Sequence, residues 1–165
     1  MQTLDIDTIH DLVPLVGQTI AVSDWLTMTQ ERINLFAEAT GDRQWIHTDP
    51  ERAARESPYG ATVAHGFLTL SLLSQFIKQT VRVREGYAMG LNYGLNRVRF
   101  PAAVRAGARI RASFTLESVE SIPAGVQAVV SAIVEIDGVE KPGCAAQWVI
   151  RYHDAAPSST SVPSS

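Results

Sequence analysis

The sequence is poor in cysteine, in lysine and in long apolar runs, and each shortage closes off a class of explanation. A single cysteine, Cys144, leaves no intrachain disulfide and no metal cluster built from thiolates. It falls inside a strand pattern and reads as core rather than as a nucleophile. Of the 14 cationic residues only Lys78 and Lys141 are lysines. Arginine suits fixed, planar contacts to carboxylate or phosphate, although codon preference would give the same balance. The net charge of −3 argues against a nucleic-acid partner, whose binders present a basic face. No apolar run reaches the roughly 18–20 residues that span a bilayer, so no membrane partner is expected. The first residues, MQTLDIDTIHDLV, are acidic and lack the basic start of a secretory signal, so a cytoplasmic protein is expected. G-x-S-x-G, P-loop and G-x-G-x-x-G motifs are missing, and the histidines do not fall at zinc spacing, so no metal site is expected.

What is present is enough for one domain with a real core. The chain has 165 residues, 45% hydrophobic and 19% charged. One domain is expected over 1–154, followed by a disordered Ser/Pro-rich tail over 155–165. Ile6, Ile9, Leu12 and Val13 could share the face of a weak helix that Pro14 and Gly17 stop. Thr19 to Val22 suits a short strand. Thr27 to Gln30 has the T-x-x-Q form of a capping box, and a helix carrying Ile33, Phe36, Ala37 and Thr40 should follow and end at Gly41. Asp42 to His47 is then an irregular loop. Asp49-Pro50 opens a second short helix that runs to about Arg55. From Gly66 to Ile77 apolar residues cover nearly every side, which predicts a long helix buried in the domain centre. Lys78 to Gly86 carries charge and should leave the core. Four segments alternate with a period of two: Leu91–Phe100, Arg109–Val119, Val126–Ile136 and Cys144–Tyr152. They predict half-buried antiparallel strands, with a hairpin at Asp137-Gly138. The fold class is α+β, a curled antiparallel sheet around a long central helix. One such layer pair leaves apolar surface open, so a homodimer is expected.

The chemistry concentrates between Phe36 and Phe76. Asp42 and His47 leave a helix end five residues apart, and a loop can bring both to one water molecule. The same spacing also fits a purely structural pair, with Asp42 on loop amides and His47 on a backbone carbonyl. Gly66 opens the central helix, where unpaired amides favour negative charge. It could stabilise a developing oxyanion there, or simply allow close packing. His65 reads as a cap or a packed neighbour, with no catalytic role. Ser74 lies on an otherwise apolar stretch and needs a partner, most commonly a carbonyl of the preceding turn.

The block A-T-G-D-R-Q-W-I-H-T-D-P, followed by A-H-G-F-L, resembles the MaoC-like dehydratases, the R-specific enoyl-CoA hydratases of the hot-dog fold. Their signature is G-D-x-N-P-[hydrophobic]-H with a later H-G. The segment from Asn92 to Pro101, N-Y-G-L-N-R-V-R-F-P, is similar to the nodulation protein N-like branch. The similarity covers roughly Gly17 to Tyr152. The resemblance implies a sheet wrapped round a central helix, active sites at a dimer interface, and reversible syn addition of water to a trans-2-enoyl-CoA, giving the (3R)-3-hydroxyacyl-CoA. It implies catalytic roles for Asp42 and His47, a thioester-holding amide at Gly66, and an assisting serine at Ser74. Gln44 and Trp45 stand where the signature has Asn-Pro and would shape the substrate pocket. Phe67, Leu70 and Leu73 would line the acyl tunnel. Arg97, Arg99 or Arg109 could meet the CoA phosphates, or face solvent on the sheet. CoA is part of the substrate, and no redox cofactor or metal is implied. Two rivals share the fold: an acyl-CoA thioesterase, whose usual acid on the central helix has no counterpart between Gly66 and Val83, and a non-catalytic subunit of a heteromeric dehydratase.

Overall fold

A computed structural model describes residues 1–155; the expected tail lies outside the described residues beyond Ala155. The order is β1 (Leu4–Ile6), a 3-10 helix (Ile9–Leu15), β2 (Thr19–Val22), β3 (Leu26–Thr27), α1 (Gln30–Thr40), α2 (Trp45–Thr48) and α3 (Pro50–Glu56). Then come α4 (Gly66–Ser71), α5 (Leu73–Thr80), β4 (Val81–Val83), β5 (Tyr87–Arg99), β6 (Arg109–Ile122), β7 (Gly125–Ile136) and β8 (Val139–Asp154). One antiparallel sheet runs β2-β6-β7-β8-β5, with β3 also paired to β6. A second, two-stranded sheet joins β1 to β4 in parallel.

The period-two patterns place the sheet as expected. Ile110, Ala112, Phe114 and Leu116 are fully buried on one face of β6. Val126, Ala128, Val130, Ala132, Val134 and Ile136 do the same on β7, and Cys144, Ala146, Trp148 and Ile150 on β8. This face wraps Leu68, Leu72, Leu73, Phe76 and Ile77, which complete one core. The Asp137-Gly138 turn joins β7 to β8, with Gly138 at φ +73°, a conformation that glycine adopts without strain.

Several local expectations give way to tertiary packing. The central helix is two segments that meet at Leu72, whose amide reaches both the Leu68 and the Leu70 carbonyls. Ser71 Oγ donates to the Leu68 carbonyl at 2.8 Å, the kind of back-bond that loosens a helical turn. Nor is the helix covered on all sides: Phe67 is 70% exposed and Ser71 is exposed, because the sheet wraps only the inner side. The N-cap of α1 is Thr29, whose Oγ1 accepts from the Arg32 amide at 3.2 Å, while Thr27 pairs with Arg109 in β3. The weak N-terminal helix is a strand followed by a 3-10 turn that contains Pro14. Lys78 to Gly86 does not simply leave the core, since it completes α5 and adds β4 beside β1. The strand expected from Leu91 begins at Tyr87 and is the sheet's edge. Leu91, Tyr93 and Leu95 are exposed there, because β5 pairs only with β8. No helix among the described residues is long and apolar enough to cross a membrane.

Candidate active site

Two helix ends and a strap meet at Asp42, His47 and His65. Gly41, at φ +76°, stops α1 with its amide on the Ala37 carbonyl and turns the chain into Asp42. His47 is not in an irregular loop but inside the short helix α2, whose amides at His47 and Thr48 both return to the Gln44 carbonyl. The strap, residues 62–64, is pinned from two sides. The Val63 amide bonds the Ile46 carbonyl at 3.0 Å, and Ala64 and Thr62 exchange bonds with Val104 and Ala106. Gln30, read from the sequence as half of a capping box, ties these parts together. Its Nε2 donates to the His47 carbonyl at 2.7 Å, and its Oε1 accepts from Thr62.

The geometry fixes the His47 tautomer. Nδ1 lies 2.6 Å from the Val63 carbonyl oxygen, which only accepts, so Nδ1 carries the hydrogen and Nε2 keeps a lone pair. The ring is 8% exposed. Burial holds its pKa below the ordinary 6.5; the Val63 hydrogen bond opposes this, His65 adds to the lowering, and Asp42 opposes it. A neutral imidazole with a free lone pair is the form a general base needs near neutral pH. Asp42 is over half exposed, and one oxygen of it, one nitrogen of His47 and one of His65 lie within 4.8 Å of one another. A water making two hydrogen bonds of about 2.8 Å can bridge such a gap.

A metal is a poorer occupant for these three groups. The His47 and His65 rings are stacked, with centroids 3.7 Å apart and planes 25° from parallel. Imidazole lone pairs lie in the ring plane, so two stacked rings do not aim them at one ion at the ~2.0–2.1 Å a Zn–N bond requires.

His65 immediately precedes Gly66, the first residue of α4. The Thr69 amide makes the first bond of that helix, to the His65 carbonyl at 3.2 Å, which leaves the Gly66 amide without an intrahelical partner. The Phe100 ring packs directly on Gly66: a Cβ there would lie 2.8 Å from Phe100 Cδ2.

The other expected site residues are spread along the open side of the helix. Phe67 is exposed and edge-on to Phe100, with centroids 6.1 Å apart. Ser74 finds its partner in Asn92, whose Nδ2 donates to Ser74 Oγ at 3.2 Å, rather than in the preceding turn. It sits roughly 12 Å along the helix from Gly66 at 1.5 Å per residue. Leu70, Leu73 and Ser74, with Asn92, Leu95 and Trp148, line a cavity of about 220 Å³ between the helix and β5. Gln44 is exposed at the start of α2, and the half-buried Trp45 ring lies under the Arg52 guanidinium at 4.3 Å. Arg97 and Arg99 line a different cavity with Glu117, Ser131 and Gln147; Arg97 pairs with Gln147, whose neighbours Ala146 and Trp148 point into the core, so this is the outer face of the sheet. Arg109 pairs with Asp137 and lies over Trp25.

The sequence profile described as MaoC like domain matches residues 11–137. The chain belongs to the MaoC-like domain family. It is 51% identical over 147 residues to 3-hydroxyacyl-thioester dehydratase Z of Mycobacterium tuberculosis, covering 88% of this chain and 96% of the relative. It is 44% identical over 144 residues to nodulation protein N of Rhizobium leguminosarum bv. viciae, covering 86% and 89%. Among solved structures, the MaoC-like dehydratase from Rhodospirillum rubrum superposes with a TM-score of 0.70 at 19% identity, over 91% of this chain and 99% of that one. An R-hydratase from Pseudomonas aeruginosa gives 0.62 at 20% identity, over 91% and 92%. The architecture of this MaoC-like chain is thus the hot-dog fold that the sequence implied. Of the two histidines in its site, the sequence singled out only His47. The signal for His65 was its place beside Gly66, but its partners are a backbone carbonyl and a ring face, which leave no mark in a sequence.

Proposed function

We propose that this MaoC-like protein is an R-specific hydro-lyase that adds water reversibly, on one face, to a trans-2-enoyl thioester of CoA and yields the (3R)-3-hydroxyacyl product. The observation that carries the reading is the Asp42–His47 pair, with His47 Nε2 left free and the two groups close enough to share a water. Asp42 and His47 Nε2 hold that water. As its oxygen bonds to C3, one of its protons passes to the pair, and the C2–C3 π electrons move toward the thioester carbonyl. The Gly66 amide donates to the resulting enolate oxygen, and the pair returns a proton to C2 on the same face. Loss of water from the 3-hydroxyacyl thioester runs the same steps backwards. The cavity beside Ser74, Leu70 and Trp148 is a suitable apolar slot for the acyl chain.

The exposed Met89, Leu91, Tyr93 and Leu95 of β5, beside the open helix face, favour a homodimer that covers this edge and closes the site. The test is turnover of crotonyl-CoA and longer enoyl-CoAs, with the chirality of the product assigned. The expected product is the 3R alcohol, and Asp42→Asn and His47→Gln each lose on the order of 10²–10⁴-fold in kcat. Release of free CoA, or binding without turnover in the wild type, refutes the proposal.

A further inference from the structure

We infer that His65 is a positioning residue of this site: its imidazole ties down the Asp42 backbone and carries the His47 ring on its face, so it sets how the two water-handling side chains meet. The inference rests on the hydro-lyase reading above and concerns a residue that acts through Asp42 and His47 rather than on substrate.

His65 stands at the N-cap of α4 with φ −58° and ψ 138°, yet its side chain caps nothing. The ring turns instead toward the end of α1. Nε2 lies 2.9 Å from the Asp42 carbonyl oxygen and 3.9 Å from the carboxylate, so the backbone is the partner it holds. A carbonyl only accepts; Nε2 therefore carries the hydrogen, and in the neutral ring Nδ1 keeps a lone pair. One face of the ring stacks on His47 at 3.7 Å, and the Phe36 ring lies 5.0 Å away at 51°. His65 is 4% exposed, and its Nδ1 is buried with no hydrogen-bond partner.

That orphaned nitrogen separates the inference from ordinary packing. A buried polar atom left unpaired costs about 1–3 kcal/mol, and phenylalanine or leucine would fill the space without it. Only a residue with a flat face and an N–H at this point can both stack on His47 and hold the Asp42 carbonyl. The charged or titratable groups that bear on His47 are His65 and Asp42. His65 thus connects the two.

Two variants separate the two contacts. His65→Phe keeps the face and loses the tie; His65→Gln keeps an N–H donor and loses the face. With crotonyl-CoA, His65→Phe is expected to lower kcat roughly 10–100-fold, the scale of a small misplacement, with KM within about threefold. Both variants are expected to move the acid limb of the kcat/KM profile to higher pH, because a protonated His65 opposes a second charge on the stacked His47 ring and either substitution removes that opposition. Wild-type kcat and an unmoved profile in both variants overturn the inference. So does a loss that merely follows a lower Tm, with the profile unmoved. Should either variant fail to fold, ¹⁵N spectra of the wild type at pH 8 decide: His65 as the Nε2–H tautomer and His47 as Nδ1–H support the arrangement, and the opposite tautomers overturn it. If the wild type turns over no enoyl thioester, the hydro-lyase reading fails by itself. The positioning claim is then judged by the same spectra, where changed His47 ring signals in His65→Gln support it and unchanged ones overturn it.

Discussion

Gly66→Ala is the sharpest probe of the start of α4, because it separates the amide from the space above it. Alanine keeps the backbone N–H. What it adds is a Cβ at 2.8 Å from Phe100 Cδ2, 2.9 Å from Cγ and 3.0 Å from Cε2. Unstrained carbon contacts lie at about 3.5–4.0 Å, so the ring must retreat by most of an ångström. Overpacking of this kind costs about 1–3 kcal/mol. The better helix propensity of alanine returns up to about 1 kcal/mol. A net loss of about 1–2 kcal/mol is expected. Phe100 is 40% exposed and rests against Phe67, so removing its ring leaves open space rather than a sealed cavity. In a Phe100→Ala background the same Gly66→Ala change should therefore cost nothing or stabilise slightly, a coupling of at least about 1 kcal/mol. Urea unfolding of the four proteins measures it. Turnover gives the second reading: with the amide intact, the double variant should match Phe100→Ala within a few-fold. Additive stabilities within about 0.5 kcal/mol would refute the clash. A double variant that turns over much more slowly than Phe100→Ala would show that the Phe100 contact is not what excludes a side chain there.

Two further outcomes follow from buried titratable groups. The Cys144 thiol is fully buried on β8, and burial pushes its pKa from 9.0 to about 11. A raised pKa gives stability that is complete below pH 9 and lost as pH rises through 11, so on the order of 3 kcal/mol should disappear over that window. Urea unfolding at pH 8 and pH 11 measures the loss, and Cys144→Ala should remove that share of it; an identical loss in the variant refutes the assignment. His47 has the opposite sign. Its pKa is lowered in the native state, so above the ordinary 6.5 it costs nothing, and as pH falls from there the unfolded chain takes up a proton that the native ring refuses. Stability should fall by at most about 1.4 kcal/mol per pH unit below 6.5, with the slope between pH 6.5 and 5 reduced in His47→Gln. Equal slopes in the two proteins would refute it.

Much of the scaffold was legible because its cause is repetitive. Ile110 to Leu116, Val126 to Ile136 and Cys144 to Ile150 each present every second residue to one core, and a period of two survives any detail of packing. The alternation fails to describe burial on β5, where Leu91, Tyr93 and Leu95 have no cover within the chain. The β1–β4 pairing is three residues long and joins Leu4 to Val81, so neither segment carries a pattern of its own. Thr27 and Thr29 offer the same cap chemistry two residues apart, and the pairing of Thr27 with Arg109 decides between them. Asp42 and His47 stood out by spacing and by resemblance. His65 did not, because its partners are a backbone carbonyl and a ring face, and Gln30 stood out only as a cap, because the His47 carbonyl and the Thr62 hydroxyl it ties together are distant in sequence.

That reliance on backbone explains how a site made of a half-exposed loop and a four-residue helix can hold a fixed geometry. His47 is set by the Val63 carbonyl, α2 by Gln30 on the His47 carbonyl, and the Asp42 turn by its own carbonyl on His65. Each bond ends on the main chain, whose position is fixed in turn by the exchange of Thr62 and Ala64 with Ala106 and Val104. The side chains that would face the substrate therefore carry little of the burden of their own placement. Asp42 can remain exposed and free to hold a water, while the order of the site resides in a strap and a buried ring behind it.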